Sequence, residues 1–283
     1  MKTTVADVIT GLDQIAPFGM AESWDNVGLI VGDRNRQVGS VLVGLDPTNR
    51  LLDEALSRNI DTVITHHPAI FKPIPSIDTG ESSGRFLEKA LTHRLNIIAC
   101  HTNFDAVCKG VNDILAELLG LENITPLVPA GGQFPDDAGV GRIGRYSQPK
   151  PRTEFIELLL EILALDTVQM AGELPQTIAT VALCGGSGSD FAETARCSGA
   201  DLYISAEIKH NIGRWAEENG FCIIDGTHYA TEKPAVRLLA ERLRAYSLER
   251  NWNIEVKETE TENHPFSSVD KYRYRKKNKG EAS

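Results

Sequence analysis

The chain has 283 residues, of which 41% are hydrophobic and 24% are charged. This apolar fraction excludes disorder as the default state, and the length suits one large or two modest domains. The formal net charge of -10 disfavours general binding to nucleic acid phosphates. Apolar runs fall far short of the roughly 20 residues of a membrane helix, and the first 25 residues lack a secretory signal, so we expect no membrane contact.

The C-terminal residues 269–283 differ from the rest of the chain, because they carry six lysines and arginines against two acidic residues. We interpret them as a solvated basic tail and expect any contact with nucleic acid to be confined to it. The five cysteines include no C-x-x-C pair. Their odd number and the missing signal predict a reducing, cytoplasmic location and exclude a thiolate zinc site.

Short apolar runs alternate with helical patterns along the chain. The predicted strands lie at 28–32, 41–45, 61–65, 96–100, 178–184, 201–205 and 221–224. The predicted helices lie at 5–15, 47–58, 84–94, 111–119, 153–165, 191–198, 207–218 and 231–246. Several strands are apolar throughout, as is typical of strands covered on both faces. This alternation predicts an α/β fold with mixed, largely parallel sheets.

A segment rich in glycine and proline, residues 126–151, interrupts this alternation and is predicted to form loops and one short strand near a domain boundary. We therefore predict a first α/β lobe at 1–125 and a second at 126–252, whose C-terminal part is free to return to the first. Residues 253–283 are predicted to be a polar C-terminal segment that includes the basic tail.

Polar side chains gather where predicted strands end. Three strand ends are followed by His66 and His67, by His101 and Asp105, and by His228 and Glu232. In parallel α/β sheets, ligands and catalysis gather beyond the carboxyl ends of the strands. Imidazole and carboxylate together suit zinc, iron, nickel or manganese. The sequence therefore indicates a metal site without thiolates.

The number and type of these residues are compatible with a two-metal site in which a carboxylate bridges. His228 and Glu232 are four residues apart and lie one turn apart on a helix. His66 and His67 point to opposite sides if the strand continues, and so serve two metals, or one metal after a turn at Pro68. Taken singly, each motif is also compatible with a hydrogen-bonded core histidine or an acid at a helix N-terminus. Two metals with a bridging carboxylate can create hydroxide at neutral pH.

Three further features each leave two interpretations open. The glycine loop, residues 184–190, follows a strand and precedes a helix, and is either a phosphate site or a tight turn. Glu207 is predicted to form a pocket wall or to support a ligand rather than to bind metal itself. Trp24 belongs either to a substrate lip or to an anchored loop.

The motifs together resemble the Nif-three-like family of dinuclear metal centre proteins, often named GTP cyclohydrolase I type 2 homologues. The segments that carry the resemblance cover about residues 20–240 and are ESWDNVGLIVGD, VLVGLDPT, DTVITHHPAIFKPI, CHTNFDAVCKGVNDILAELLGL, GVGRIG, ADLYISAEIKHN and DGTHYATEKPAV. The resemblance implies two α/β lobes with the metals between them, often assembled as a hexameric ring. This chain resembles the short form without an inserted domain, and it has Ala206 where the family usually has glycine.

The same resemblance implies a ligand set and a chemistry. The metal ligands would be His66, His67, Asp105, His228 and Glu232. Glu232 would bridge two divalent ions (zinc, manganese, iron or nickel), and His101 would lie beside them. The implied activity is that of a dinuclear metal-dependent hydrolase, GTP cyclohydrolase 1 type 2-like. It would act with metal-activated hydroxide on a nucleotide or related small molecule, with His101 or Glu232 moving protons.

One sequence feature argues against the GTP substrate, because a cradle rich in lysine and arginine for a triphosphate is missing. The alternative function is a metal-binding regulatory or metal-handling protein without turnover. Its basic tail would then contact a protein partner or nucleic acid.

Overall fold

The secondary structure of the computed structural model is described for residues 2–267, so the basic tail predicted at 269–283 lies outside the described residues. The strands are Gly28–Val31 (β1), Ser40–Gly44 (β2), Thr62–Thr65 (β3), Asn96–Ala99 (β4), Glu122–Pro129 (β5), Gly139–Pro151 (β6), Gln169–Ala171 (β7), Thr177–Leu183 (β8), Leu202–Ser205 (β9), Cys222–Asp225 (β10) and Glu255–Glu258 (β11). The helices are Val5–Ile15 (α1), Asn49–Ser57 (α2), Ser82–Thr92 (α3), Thr102–Ala106 (α4), Val111–Leu118 (α5), Arg152–Leu163 (α6), Ala192–Cys197 (α7), His210–Asn219 (α8) and His228–Glu249 (α9).

The first sheet has the strand order β1-β4-β3-β2-β11. Its strands are parallel except β1, which runs antiparallel to β4. Side chains alternate between two cores: Val41 and Val43 belong to the core that includes residues of α1 and α9, and Leu42 to the core that includes residues of α2 and α3. Both faces of the sheet are thus covered, which explains why its central strands β2, β3 and β4 are rich in apolar residues.

The second sheet has the order β5-β6-β8-β9-β10-β7. Strands β8, β9 and β10 are parallel, and the other pairs are antiparallel. The predicted fold class, α/β with mixed sheets, is confirmed.

The prediction for residues 126–151 was wrong, because most of this segment is strand. It contains the second half of β5 and the 13-residue β6, which pair antiparallel. The glycines of β6 mark close backbone approach rather than a loop. A Cβ at Gly144 would lie 3.0 Å from the Cβ of Leu121 and 3.2 Å from the carbonyl oxygen of Glu122.

The polar segment after residue 252 also holds a strand that was not predicted. β11 pairs in parallel with β2 at the edge of the first sheet. Only Val256 of its four residues is buried, so the sequence lacks an apolar run there. Helix α9 likewise contributes Leu239 and Leu243 to a core of the first sheet. The domain boundaries at 125 and 252 stay a prediction.

Helix α9 is the longest helix in the described part of the chain, with 22 residues and Pro234 in its first turns. It begins at His228, three residues before the predicted start. Between residues 2 and 267, no helix combines the length and the apolar character that crossing a lipid bilayer requires.

Candidate metal centre

Five predicted ligands meet where the ends of β3 and β10 approach α4. We call them the polar cluster: His66, His67, Asp105, His228 and Glu232. Ligand atoms lie within 4.8 Å of one another in three groups, which are His66 with Asp105 and Glu232, His67 with His228 and Glu232, and His66 with His67 and His101. The structure therefore brings together every site residue predicted from the sequence, while their assignment as metal ligands stays a prediction.

Glu232 lies at the centre of the polar cluster and is only 3% exposed. Its Oε2 atom lies 3.0 Å from Nε2 of His67 and 3.0 Å from Nε2 of His228. Its Oε1 atom lies 3.8 Å from Nε2 of His66. The two oxygens of one carboxylate thus approach different histidines, and both of the groups that contain a carboxylate share Glu232.

Two buried atoms of the polar cluster lack a hydrogen-bond partner. They are Nε2 of His66 and Oδ1 of Asp105. Nε2 of His66 and Oδ1 of Asp105 are 3.5 Å apart. Buried polar atoms in proteins are nearly always hydrogen-bonded, so each exception needs an explanation. Lone-pair donors of this kind, converging without partners of their own, fit a shared divalent cation.

The orientation of the histidine rings also fits metal binding. In each histidine ring of the polar cluster, Nδ1 contacts an acceptor outside the cluster, so that Nε2 faces the other members. The acceptors are the carbonyl of Cys100 for His66 at 2.8 Å, Asp46 for His67 at 2.8 Å, and Glu207 for His228 at 2.9 Å. A hydrogen bond from Nδ1–H sets the tautomer and ring orientation that a metal ligand needs, and makes Nε2 a better ligand.

Charge and burial compete in the polar cluster. Burial is the largest influence on His67 and lowers its pKa, but Asp46 and Glu232 together outweigh it and raise the pKa to about 10. His228 follows the same balance, with burial opposed by Glu232 and Glu207, and its pKa rises to about 9. A cation must displace the protons of these rings, because only neutral imidazole is a ligand.

The two carboxyl groups differ in the same environment. Burial raises the pKa of Glu232, but the three nearby imidazole rings outweigh burial and hold that pKa well below its usual range. Burial and the negative charge of Glu232 raise the pKa of Asp105, against the opposing effect of His66. Glu232 is therefore the anionic member around which the histidines gather.

The turn between β10 and α9 positions His228. Thr227 adopts φ +62°, a conformation that is rare for a β-branched residue. Its N–H donates to Asp225 at 2.9 Å, and its Oγ1 accepts from Ala230 N, which caps α9. Such strain costs on the order of 1–3 kcal/mol and clusters at functional sites. Here it lets α9 begin with His228 beside the end of β3.

The glycine loop packs beneath Glu232 as a tight turn. Three of its glycine amides already donate to the protein: Gly185 to Asn112 Oδ1, Gly186 to Thr231 Oγ1, and Gly188 to Ser205 Oγ. These donors are therefore occupied and do not form a phosphate cradle. Gly186 has φ +66°, and a Cβ there would lie 2.1 Å from Oε1 of Glu232.

His101 borders the polar cluster and is anchored by Asp25. Its Nδ1 lies 2.9 Å from Oδ1 of Asp25, while the N–H and the hydroxyl of Thr102 donate to Oδ2. Burial raises the pKa of Asp25, but the hydrogen bonds from His101 and Thr102 outweigh it and lower that pKa to about 2. Asp25 anchors the loop on which its neighbour Trp24 stays 56% exposed.

The sequence did not identify the carboxylates that contact Nδ1 of His67 and His228. Asp46 follows β2 and Glu207 follows β9, so their position beyond a strand end was the usable signal. For Glu207, support of a ligand was one of the predicted roles, and its hydrogen bond to His228 agrees with it. His264 is partly buried, and its Nε2 lies 3.0 Å from Oγ1 of Thr227.

A cavity of about 700 Å³ opens onto the polar cluster. His67, His228 and Glu232 form its floor, and Trp24 and Phe71 line one side. The candidate site therefore combines a buried set of metal-binding groups with space for a small molecule.

Known proteins are similar to this chain in sequence and in fold. A family model described as Duf34/NIF3 (NGG1p interacting factor 3) matches residues 3–265. A protein of Streptomyces coelicolor named GTP cyclohydrolase 1 type 2 homolog is 31% identical over 267 residues, which is 93% of this chain and 94% of the relative. The crystal structure of a hypothetical protein of Staphylococcus aureus superimposes on this chain with a TM-score of 0.87 and 30% sequence identity. The match covers 95% of this chain and all of that one. The chain belongs to the Duf34/NIF3 family.

Proposed function

We propose that this chain is a hydrolase that depends on two divalent metal ions held by the polar cluster. One ion would bind His66 and Asp105, the other His67 and His228, and Glu232 would bridge both. The observation that carries the proposal is the position of Glu232, whose two oxygens approach different histidines from a buried site. Zinc, manganese, iron and nickel all accept this ligand set.

The reaction we propose is hydrolysis of a nucleotide or a related small molecule. Support for this class comes from the relatives named GTP cyclohydrolase 1 type 2 homolog. When bound, two divalent ions would supply Lewis acidity and a nucleophilic hydroxide at neutral pH. Among the residues of the chain, His101 would move protons, because Asp25 holds its ring at the edge of the cavity. Glu232 is the second candidate for proton transfer.

The test is to load the protein with zinc, manganese or iron and to measure metal content and hydrolysis of GTP, nucleosides and simple phosphoesters. Wild-type protein is expected to bind two ions per chain. The substitution Glu232→Gln is expected to remove both the binding and the turnover. Glu241→Gln is a matched control, because Glu241 is an exposed carboxylate on the same helix and pairs only with Arg237 among the described residues.

The alternative function predicts a different result in this assay. Metal binding without turnover on any substrate would support a regulatory or metal-handling protein. We also propose a homohexamer, as the family resemblance implies, and light scattering of the purified protein tests it. A monomer would refute the assembly and leave the metal centre untouched.

A further inference from the structure

The cavity above the polar cluster has an exposed aromatic wall. Trp24 is 56% exposed and Phe71 is 45% exposed. Their ring centroids are 5.6 Å apart, and both rings lie 6.2 Å from the ring of His101. Large aromatic side chains that are exposed beside a cavity are suited to stack on a flat ligand, because aromatic stacking contributes free energy beyond that of burying apolar area. The wall therefore points to a planar ring as ligand.

The charge of the cavity lining points away from phosphate. Four acidic side chains line the cavity, and no lysine or arginine lies among its described lining residues. The nearby Lys209 is bound to one of those acids, Asp190, at 2.6 Å. The glycine amides that would receive an anion are occupied by protein acceptors. A triphosphate would thus meet like charges without compensating donors.

Two bound divalent ions would not reverse this balance. They would bring four positive charges. Five carboxylates lie in the polar cluster or directly behind the histidine rings, namely Asp25, Asp46, Asp105, Glu207 and Glu232. Neutral histidine ligands add no charge. Within the described residues, the loaded site would therefore remain without net positive charge to hold several phosphates.

We propose that the cavity binds an uncharged compound with a planar heteroaromatic ring, such as a nucleobase, a nucleoside or a pterin, and selects against the corresponding triphosphate. This inference rests on the proposed hydrolase site and narrows its substrate class. Trp24 and Phe71 supply the stacking surface, and the polar cluster lies at the floor of the same cavity.

The experiment measures binding by calorimetry, with zinc-loaded and with metal-free protein. The probes are purine and pyrimidine nucleosides, a pterin, and GTP, at low and at high salt. At least one uncharged ring is expected to bind at least about tenfold more tightly than GTP, with little dependence on salt. Stacking is worth about 1–3 kcal/mol per base, so Trp24→Ala should weaken that binding about 5- to 150-fold.

Two variants control this comparison. Trp24→Phe keeps an aromatic face and should retain most of the affinity. Leu248→Ala removes an exposed apolar side chain from α9 and should change nothing. Tighter binding of GTP, binding of no uncharged probe, or an unchanged affinity in Trp24→Ala would each overturn the inference. None of these results depends on turnover, so they test the binding inference independently of whether the protein is a hydrolase.

Discussion

Gly186→Ala tests whether the polar cluster binds metal through Glu232. The backbone at Gly186 has φ +66°, which costs an alanine about 1–2 kcal/mol. The added Cβ would lie 2.1 Å from Oε1 of Glu232 and 3.3 Å from Nε2 of His228. The first distance is far inside any real contact. Because the obstructed atom is the end of a flexible side chain, we expect the carboxylate to move rather than the fold to break.

The matched control is Gly199→Ala. Gly199 has φ +84°, and nothing lies within 4 Å of the position of its Cβ. The two variants therefore share the backbone cost, and only Gly186→Ala disturbs the polar cluster. Urea unfolding of metal-free protein should give Gly199→Ala a loss of about 1–2 kcal/mol, and Gly186→Ala a loss at least as large.

Metal binding should separate the two variants. Loss of a supporting contact behind a ligand usually costs 10- to 100-fold in metal affinity. Displacement of Glu232 itself, which both carboxylate-containing groups share, should cost at least about 100-fold by the same scale. Calorimetric titration with zinc measures this. Equal zinc affinity in Gly186→Ala and Gly199→Ala would refute the role given to Glu232.

Three further substitutions test one acceptor behind the polar cluster and two carboxylates that accept backbone N–H groups. Asp46→Asn should weaken zinc binding about 10- to 100-fold by calorimetry, whereas the exposed Asp53→Asn should not. Burial raises the pKa of the Glu54 carboxyl group, but the hydrogen bonds that this group accepts outweigh burial and lower the pKa to about 2. Glu54→Gln should therefore lower the free energy of unfolding by about 3 kcal/mol, measured with urea at pH 7. That difference should shrink as pH falls from about 4.5 towards 2, because protonation removes the advantage of the folded state. Glu262→Ala leaves the N–H groups of Leu45 and Asp46 without their acceptor and should cost about 1–3 kcal/mol, measured by the same unfolding.

The parallel core of the fold was predictable because its strands are buried on both faces. The runs that became β3 and β4 are buried at every position, and short, mostly apolar runs between helical patterns indicate buried strands. The antiparallel edges gave no such signal. β6 carries glycines and prolines, and β11 buries one residue of four, so composition suggested loops and a polar segment.

The members of the polar cluster were predictable for a different reason. Parallel strands bring their carboxyl ends to one edge of a sheet, so histidines that directly follow β3 and β4 had to lie near one another. The approach of His228 to His67 was less accessible to sequence reasoning. It depends on the turn at Thr227 and on how the two sheets meet, and neither leaves a local pattern in the sequence. The resemblance to a family supplied that part.

The structure retains three features at the cluster that each cost stability. Thr227 adopts a strained backbone, and His66 Nε2 and Asp105 Oδ1 are buried polar atoms without a hydrogen bond. Violations of local rules that converge on one point mark a functional site in natural proteins. A cation that binds only the folded chain would offset their cost by mass action, and this links metal binding to stability.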